Sequence, residues 1–397
     1  MLVSKVIKRI LSGSKMQKIY KIIFKIVGEL PKKSSLVVFE SFHGKQYSDS
    51  PRAIFEYMSE NTPNAQLVWS VDRRHTKLFE GLNIPYIKRF TIKWFLTMPR
   101  AKYWVNNVRL PNWLPKPKKT EYVQTWHGTP LKRLGVDIKE IHMPGTDTGR
   151  YKRNFITESS NWDYLVSPNA YSTEIFTRAF SFNGQVLETG YPRNDFLYNY
   201  TQRDVSVVKE QLNIPKDKKV ILYAPTWRDN QFYSVGQYKF DIKLDLNRMK
   251  EQLGNEYVIL LRMHYLISEN IDLTEYEGFA YDVSNYLDIR ELYVISDILI
   301  TDYSSVFFDF ANLKRPIIFY VYDLDEYRDH LRGFYFDLEQ EAPGPLVKNT
   351  EQVISHIQAV SKDNDLSVSY QQFYSTFCGI EDGEASKRVV EAFYNDK

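Results

Sequence analysis

The chain has 397 residues, 43% hydrophobic and 25% charged, a soluble-globular balance whose length exceeds what one core usually supports, so two domains are expected. The net charge of +3 is unevenly placed: residues 1–33 hold nine Lys/Arg against one Glu, a balance of +8, which leaves −5 on the remainder. The single cysteine, Cys378, excludes an intramolecular disulfide and fits a reducing compartment. At the start of the chain, Ile19, Ile22, Ile23, Ile26 and Val27 recur at helical spacing, with Lys18, Lys21 and Lys25 on or beside the opposite face. Val3, Val6, Ile7 and Ile10 against Lys5, Lys8 and Arg9 repeat the design before Ser12-Gly13-Ser14. No uncharged run approaches the ~20 residues that span a bilayer, and no small-residue cleavage site marks a secretory signal. The pattern predicts a basic amphipathic helix lying on an anionic membrane surface, each Lys or Arg contributing about 1 kcal/mol. A helix packed on its own protein with a solvated lysine face has the same pattern. The positive charge is confined to this leader and no nucleic-acid motif appears, so nucleic acid is not expected as a partner.

After Pro31 apolar strands alternate with helical segments: strands are expected at 36–39, 67–71, 103–105, 122–125, 164–166 and 186–187, then at 220–223, 258–261, 298–301 and 317–321. Such alternation predicts parallel sheets with crossover helices. The charged stretch 198–219 separates the halves, giving expected domains at 1–33, 34–203 and 204–397. Two Rossmann-like halves facing a central cleft are the arrangement of GT-B transferases, on alternation alone an analogy of fold.

Gln124-Thr125-Trp126-His127-Gly128-Thr129-Pro130 places His127 at a strand end, beside an aromatic ring and turn-forming residues, where an imidazole is positioned to act as a base. Leu261-Arg262-Met263-His264 repeats that placement in the second half. One strand-end histidine per half predicts a site built between two domains; two unrelated structural histidines satisfy the same pattern. In Ser296 to Ser305 an apolar strand ends at Thr301, and Asp302-Tyr303-Ser304-Ser305 turns into a helix. Ser and Asp are preferred N-caps, and the unpaired N–H groups of a helix start attract phosphate. A plain strand-to-helix turn is the alternative. Arg332, before Gly333, brings a fixed positive charge to a diphosphate, or is a surface arginine. Thr226 and Arg228 follow the first strand of the second half, at the edge where α/β folds bind ligands. Lys45 and Asp49 hold the equivalent place in the first half, in a loop and helix start suited to an anionic acceptor. The sequence has no HExxH, CxxC or clustered Cys/His set and no GxSxG elbow, so neither a metal centre nor a hydrolase triad is expected.

Taken together, 124–135, 223–229, Arg262-Met263-His264 and 296–305 resemble the CDP-glycerol glycerophosphotransferase family, the teichoic-acid primases and polymerases of Gram-positive bacteria. The resemblance covers nearly the whole catalytic chain. It implies a GT-B fold, with 34–203 on the acceptor side and 204–397 binding CDP-glycerol. It also implies a peripheral location on the cytoplasmic face of the cell membrane and a prenyl-diphosphate-linked glycan acceptor. By this similarity His127 is the catalytic base, and His264, Ser304, Ser305 and Arg332 contact the donor diphosphate, with Asp302, Thr226 and Arg228 beside them. Trp126, Gly128, Thr129, Lys45 and Asp49 are expected on the acceptor side. Position 43 is His, where a more neutral residue is expected in relatives, so acceptor preference can differ. The expected reaction is attack of the acceptor's terminal hydroxyl on the glycerol-bearing β-phosphorus, with CMP leaving and no cofactor or obligatory metal. Segment 44–51 resembles the polymerase-like members, which favours chain extension over priming. A ribitol-phosphate transferase using CDP-ribitol, a GT-B nucleotide-sugar glycosyltransferase and a non-catalytic membrane adaptor are the alternatives. A homo-oligomer is compatible with the sequence.

Overall fold

The computed structural model describes residues 14–140, 147–226, 232–234, 237–238, 242–263, 272–324, 333–360 and 366–394. They belong to two compact units. The first takes the chain up to His127, then Leu134–Arg193, and again from Glu384 onward; the second takes Gly128–Arg133 and Asn194–Gly383.

The first unit is built on seven strands, β1 (Lys33–Glu40), β2 (Gln66–Val71), β3 (Tyr86–Lys88), β4 (Ala101–Asn106), β5 (Glu121–Gln124), β6 (Tyr164–Ser167) and β7 (Gln185–Glu188). Their order is β3-β2-β1-β4-β5-β6-β7 and every pairing is parallel. Parallel strands covered by crossover helices are buried on both faces, which is why they read as continuous apolar runs. Val37, Phe39, Trp69, Val105 and Val123 are fully buried, each such side chain contributing about 1.5–3 kcal/mol. The Phe39 and Trp69 rings stack at 5.8 Å, Phe55 and Tyr47 pack edge-on around them, and Phe79 meets Tyr47 edge-on.

Strand order reverses between β1 and β4. Neighbouring crossovers leave in opposite directions there, so the loops after these two strands part and a crevice opens at their carboxyl ends. His127 follows the next strand, β5.

The second unit carries β8 (Lys219–Ala224), the short hairpin β9 (Phe232–Ser234) and β10 (Gln237–Tyr238), then β11 (Tyr257–Leu261), β12 (Ala280–Asp282), β13 (Ile298–Thr301), β14 (Ile317–Tyr320) and β15 (Leu346–Val347). Six of them form a parallel sheet in the order β12-β11-β8-β13-β14-β15. Its reversal lies between β8 and β13, whose carboxyl ends carry Thr226 and Asp302–Ser305.

All ten expected strands form. Those not foreseen are the hairpin and β3, β12 and β15, sheet-edge strands of two or three residues, too short to make an apolar run. The expected single crossing at 203/204 is replaced by a division at Arg193/Asn194. The last helix, Ala385–Phe393, also returns to the first unit. Val389, Val390 and Phe393 join the core of Val37, Phe39 and Ile54, and Arg388 donates to the Thr189 carbonyl at 2.7 Å. Residues 128–133 cluster with the second unit, where Lys132 bridges Phe334 and the Tyr335 N–H donates to the Leu131 carbonyl.

Residues Ser14–Gly28 form a helix. It docks through Tyr20, which stacks on Phe95 at 4.9 Å, and through buried Phe24 against Trp94 and Trp104, with Val27 buried as well. The expected apolar face is therefore split. Val27 is buried against the protein, whereas Ile19, Ile22, Ile23 and Ile26 stay exposed, beside exposed Lys18, Lys21 and Lys25.

Candidate active site

Three strand ends of the first unit converge on a pocket of about 590 Å³. It is lined by His43 from the loop after β1, Val108–Asn112 after β4, Trp126 and His127 after β5, and Tyr151, Asn154 and Phe155 from helix Thr148–Ser159. Its volume lies in the range of small-molecule sites, and the lining mixes aromatic faces with histidine, arginine and asparagine side chains.

His127 is held in one orientation. Its Nδ1 lies 2.7 Å from the Asn107 carbonyl, its ring stacks on Trp126 at 4.5 Å, and Phe42 meets it edge-on at 5.9 Å. A carbonyl oxygen only accepts, so Nδ1 carries the proton and Nε2 keeps its lone pair, a tautomer assigned from this partner. Desolvation of the half-buried ring lowers its pKa from the ordinary 6.5, outweighing the opposing pull of the Asn107 carbonyl and the Asp49 charge. The imidazole is therefore neutral near pH 7, the form a base requires.

Asn107 also ties the two strands that flank the reversal. Its Oδ1 accepts from the Phe42 N–H at 2.9 Å and its Nδ2 donates to Ser41 Oγ at 3.3 Å. Backbone strain gathers at the same place. Phe42, His43, Asp49 and Trp126 all have φ between 44° and 63°, the left-handed region that side chains disfavour. Each costs of order 1–3 kcal/mol and persists only where its surroundings fix it. Trp126 is fixed by Phe155, Trp162, Phe176 and Phe180 around its ring and by the Gln124 Oε1 that accepts its N–H. Gly44, with φ 76°, leaves only 2.7 Å between an added Cβ and both Asp72 N and Ser70 O, so the loop needs glycine there.

Beneath that loop lies a buried polar network. Arg89 pairs with Glu40 at 3.2 Å and donates to the His43 carbonyl, Ser70 Oγ donates to Glu40 Oε2 at 2.7 Å, and Trp94 Nε1 donates to Ser70 Oγ. On the other wall, buried Glu158 accepts from the Leu110 N–H at 3.0 Å and the Tyr122 hydroxyl at 3.1 Å, fixing the 108–112 loop. Burial pushes the Glu158 carboxyl from 4.5 up to about 7. A carboxyl raised on folding adds stability in full below its unfolded pKa and loses it as pH rises through the folded value. The stability difference between wild type and Glu158→Gln should therefore change by on the order of 2–3 kcal/mol between pH 5 and pH 8, at the expense of wild type. Urea melts at both pH values check this; a constant difference contradicts it.

In the second unit, the Thr226 N–H donates to Asp302 Oδ1 at 2.8 Å and the Thr301 hydroxyl to the Ala224 carbonyl at 2.7 Å, so the ends of β8 and β13 are laced together. Asp302 is thus engaged in holding backbone. Ser304 and Ser305 are half-buried. The helix they lead into, Val306–Phe310, is only five residues long, and the Ser305 side chain does not cap it. The helix expected to begin near Ser305 therefore presents a single short turn. Gly128 sits against this turn: a Cβ there would come within 2.8 Å of Ser305 Oγ. Gly128 and Thr129 cluster with the unit that carries Ser304 and Ser305. Asp49 is buried and paired with Arg193 at 3.2 Å, and Lys45 is half-buried in the loop after β1. His264, Arg228 and Arg332 lie outside the described residues.

The residues the sequence reading passed over are Asn107, Arg109, Glu158 and Arg193. Asn106-Asn107-Val108-Arg109 directly follows an apolar strand, and a polar run at a parallel strand end is the signal that marks the first two.

A strand-end imidazole held in one tautomer, in doubly wound parallel sheets with polar loops at each reversal, defines an α/β protein with a candidate site at its strand ends. Residues 22–395 match the family described as CDP-Glycerol:Poly(glycerophosphate) glycerophosphotransferase, and the chain belongs to that family. It is 60% identical over 379 residues to the teichoic acid poly(glycerol phosphate) polymerase of Bacillus subtilis (strain 168), covering 95% of this chain and 51% of the relative, so it spans about half that protein's length. It is 59% identical to the polymerase of the same description from Bacillus spizizenii (strain ATCC 23059 / NRRL B-14472 / W23), covering 94% of this chain and 95% of the relative. The solved structure of the wall teichoic acid polymerase TagF superposes with a TM-score of 0.87 at 44% identity, covering 98% of this chain and 95% of that one.

Proposed function

We propose that this chain transfers glycerol phosphate from CDP-glycerol to the terminal hydroxyl of a lipid-linked teichoic acid acceptor, releasing CMP, with neutral His127 as general base. The observation that carries the reading is the fixed His127 ring, whose Nδ1 is committed to the Asn107 carbonyl and whose Nε2 is left to take a proton. The acceptor oxygen forms a bond to the β-phosphorus, the phosphoanhydride bond to CMP breaks, and the hydroxyl proton passes to Nε2. Catalysis of this kind rests on positioning and on stabilising spread negative charge. The Ser304/Ser305 turn, with Thr226 positioned by Asp302, is the natural seat for the donor diphosphate, and His264, Arg332 and Arg228 belong to the same proposal. Family membership and the two parallel sheets support a GT-B layout for the reaction.

The purified protein, given radiolabelled CDP-glycerol and a prenyl-diphosphate-linked disaccharide, should release CMP in step with incorporated glycerol phosphate. CDP-ribitol should not replace the donor. Release of a nucleoside diphosphate, or transfer from CDP-ribitol alone, overturns the reading.

A peripheral site on the cytoplasmic face of the membrane belongs to the same proposal. The exposed isoleucines at positions 19, 22, 23 and 26, flanked by lysines, suit in-plane insertion, and among the described residues no helix is long and apolar enough to cross a membrane. Replacing Ile22 and Ile26 by serine should reduce co-flotation with anionic vesicles at least about 10-fold, since each buried CH₂ contributes about 0.8 kcal/mol. Unchanged flotation refutes membrane docking through this face.

A further inference from the structure

We propose that Arg109 is the side chain that binds the phosphodiester preceding the acceptor's reactive hydroxyl. This inference rests on the transfer reaction proposed above and names the residue of the same site that reads the acceptor's charge.

Each turnover of that reaction leaves a new glycerol whose free hydroxyl lies one three-carbon unit away from the phosphodiester just formed. An acceptor for a second turnover therefore brings a negative charge into the pocket along with its nucleophile. A first acceptor lacking glycerol phosphate brings no charge at that distance. A pocket that distinguishes the two needs a fixed cation at the base's side of the site, set back from the reacting oxygen.

Arg109 meets that description. It lines the pocket with His127, His43 and Trp126, on the loop that leaves β4 at the strand-order reversal. Its guanidinium lies over the Phe155 ring, 4.3 Å from the centroid, and 5.5 Å from that of Tyr151. Stacking on aromatic faces leaves the in-plane N–H groups of a guanidinium directed outward, the fork geometry that takes two phosphate oxygens. Among the described residues no carboxylate lines the pocket and none lies within ion-pair distance of Arg109, although its charge bears on buried Glu158. Asn112 and Asn154 add neutral amide donors to the same wall. Arg109 is half-buried, its charge bears on buried Glu158 without a direct ion pair, and among the described residues the pocket lining carries no acidic group, so its wall is electrostatically suited to an anion.

The pairing also helps the base. The Arg109 charge is among the influences that hold His127 below its ordinary pKa. An anionic acceptor neutralises that charge as it binds, which makes the proton easier to accept at Nε2 during attack.

The test uses Arg109→Met, which keeps an apolar stem over Phe155 and loses the charge, together with Arg109→Lys, which keeps a charge without the fork. Two soluble acceptors are compared, a glycerol phosphodiester with a free terminal hydroxyl and a neutral glycerol ether of the same length. With the phosphodiester acceptor, Arg109→Met should lose roughly 10- to 150-fold in kcat/KM, the span of a hydrogen bond to a charged group, with Arg109→Lys in between. With the neutral acceptor both variants should stay within about 3-fold of wild type. Equal losses on both acceptors, or no loss on either, overturn the Arg109 assignment while wild-type turnover still upholds the transfer reaction. Wild-type protein inactive on every acceptor with CDP-glycerol contradicts the reaction itself. Thermal melts of both variants separate misfolding from lost recognition, and Arg109→Lys keeps the test decisive if Arg109→Met unfolds.

Discussion

His127→Ala should lower kcat by roughly 100- to 10,000-fold, the usual contribution of a positioned general base. The Kd for CDP-glycerol should stay within about 2-fold, because the proposed donor seat lies on the Thr226 and Asp302–Ser305 loops and the imidazole contributes to proton transfer. Among the described residues the side chain joins no ion pair and hydrogen-bonds to the Asn107 carbonyl, so the fold should survive its removal with a modest change in stability. Asn107 supplies a main-chain carbonyl, so substitution at 107 tests a different thing. Asn107→Ala keeps the acceptor for Nδ1 but removes the side-chain ties to Phe42 and Ser41. A His127→Ala enzyme with near-normal turnover, measured by CMP release under saturating donor, refutes the base assignment.

Arg89→Met should destabilise the protein by about 3–5 kcal/mol, the cost of leaving one partner of a buried pair uncompensated. Arg89 and Glu40 are 7% and 1% exposed, so neither charge can turn to water. Desolvation pushes the Glu40 carboxyl up, and the Arg89 charge opposes it. Removing Arg89 leaves Ser70 as the remaining donor to Glu40 Oε2. The double substitution Arg89→Met with Glu40→Gln should recover most of the loss, because the stranded carboxylate goes with it. Guanidinium unfolding of the two singles and the double checks this. A single Arg89→Met that costs less than about 1 kcal/mol shows that Glu40 is already neutral in the native protein. Since Arg89 also holds the His43 carbonyl, kcat should fall along with stability.

Most of the sheet was legible because its central strands are buried on both faces and so print unbroken apolar runs, as in Val258–Leu261 and Ile298–Thr301. Edge strands such as Tyr86–Lys88 and Leu346–Val347 are too short to do so. His127 was legible for a chemical reason, since an imidazole after a strand, next to Trp126 and Gly128, sits where parallel sheets present their loops. Its orientation was not. The Asn107 carbonyl that sets the tautomer is 20 residues away in sequence, and a main-chain acceptor leaves no trace in residue identity. The return of Ala385–Phe393 to the first unit was illegible for a similar reason, because an amphipathic terminal helix specifies that it must bury a face but not against which sheet. In Ser14–Gly28 helical spacing was read correctly, but Tyr20 and Phe24, which carry the docking stripe, were not singled out, while four isoleucines remain exposed.

The pH dependence of single-turnover glycerol phosphate transfer addresses the base most directly. Wild-type protein should show an acid limb with its midpoint below 6.5, since the rate requires neutral His127 and desolvation lowers that group's pKa. The residual rate of His127→Asn should lack this limb. An acid limb of unchanged midpoint in His127→Asn would assign the titration to another group and contradict His127 as the base.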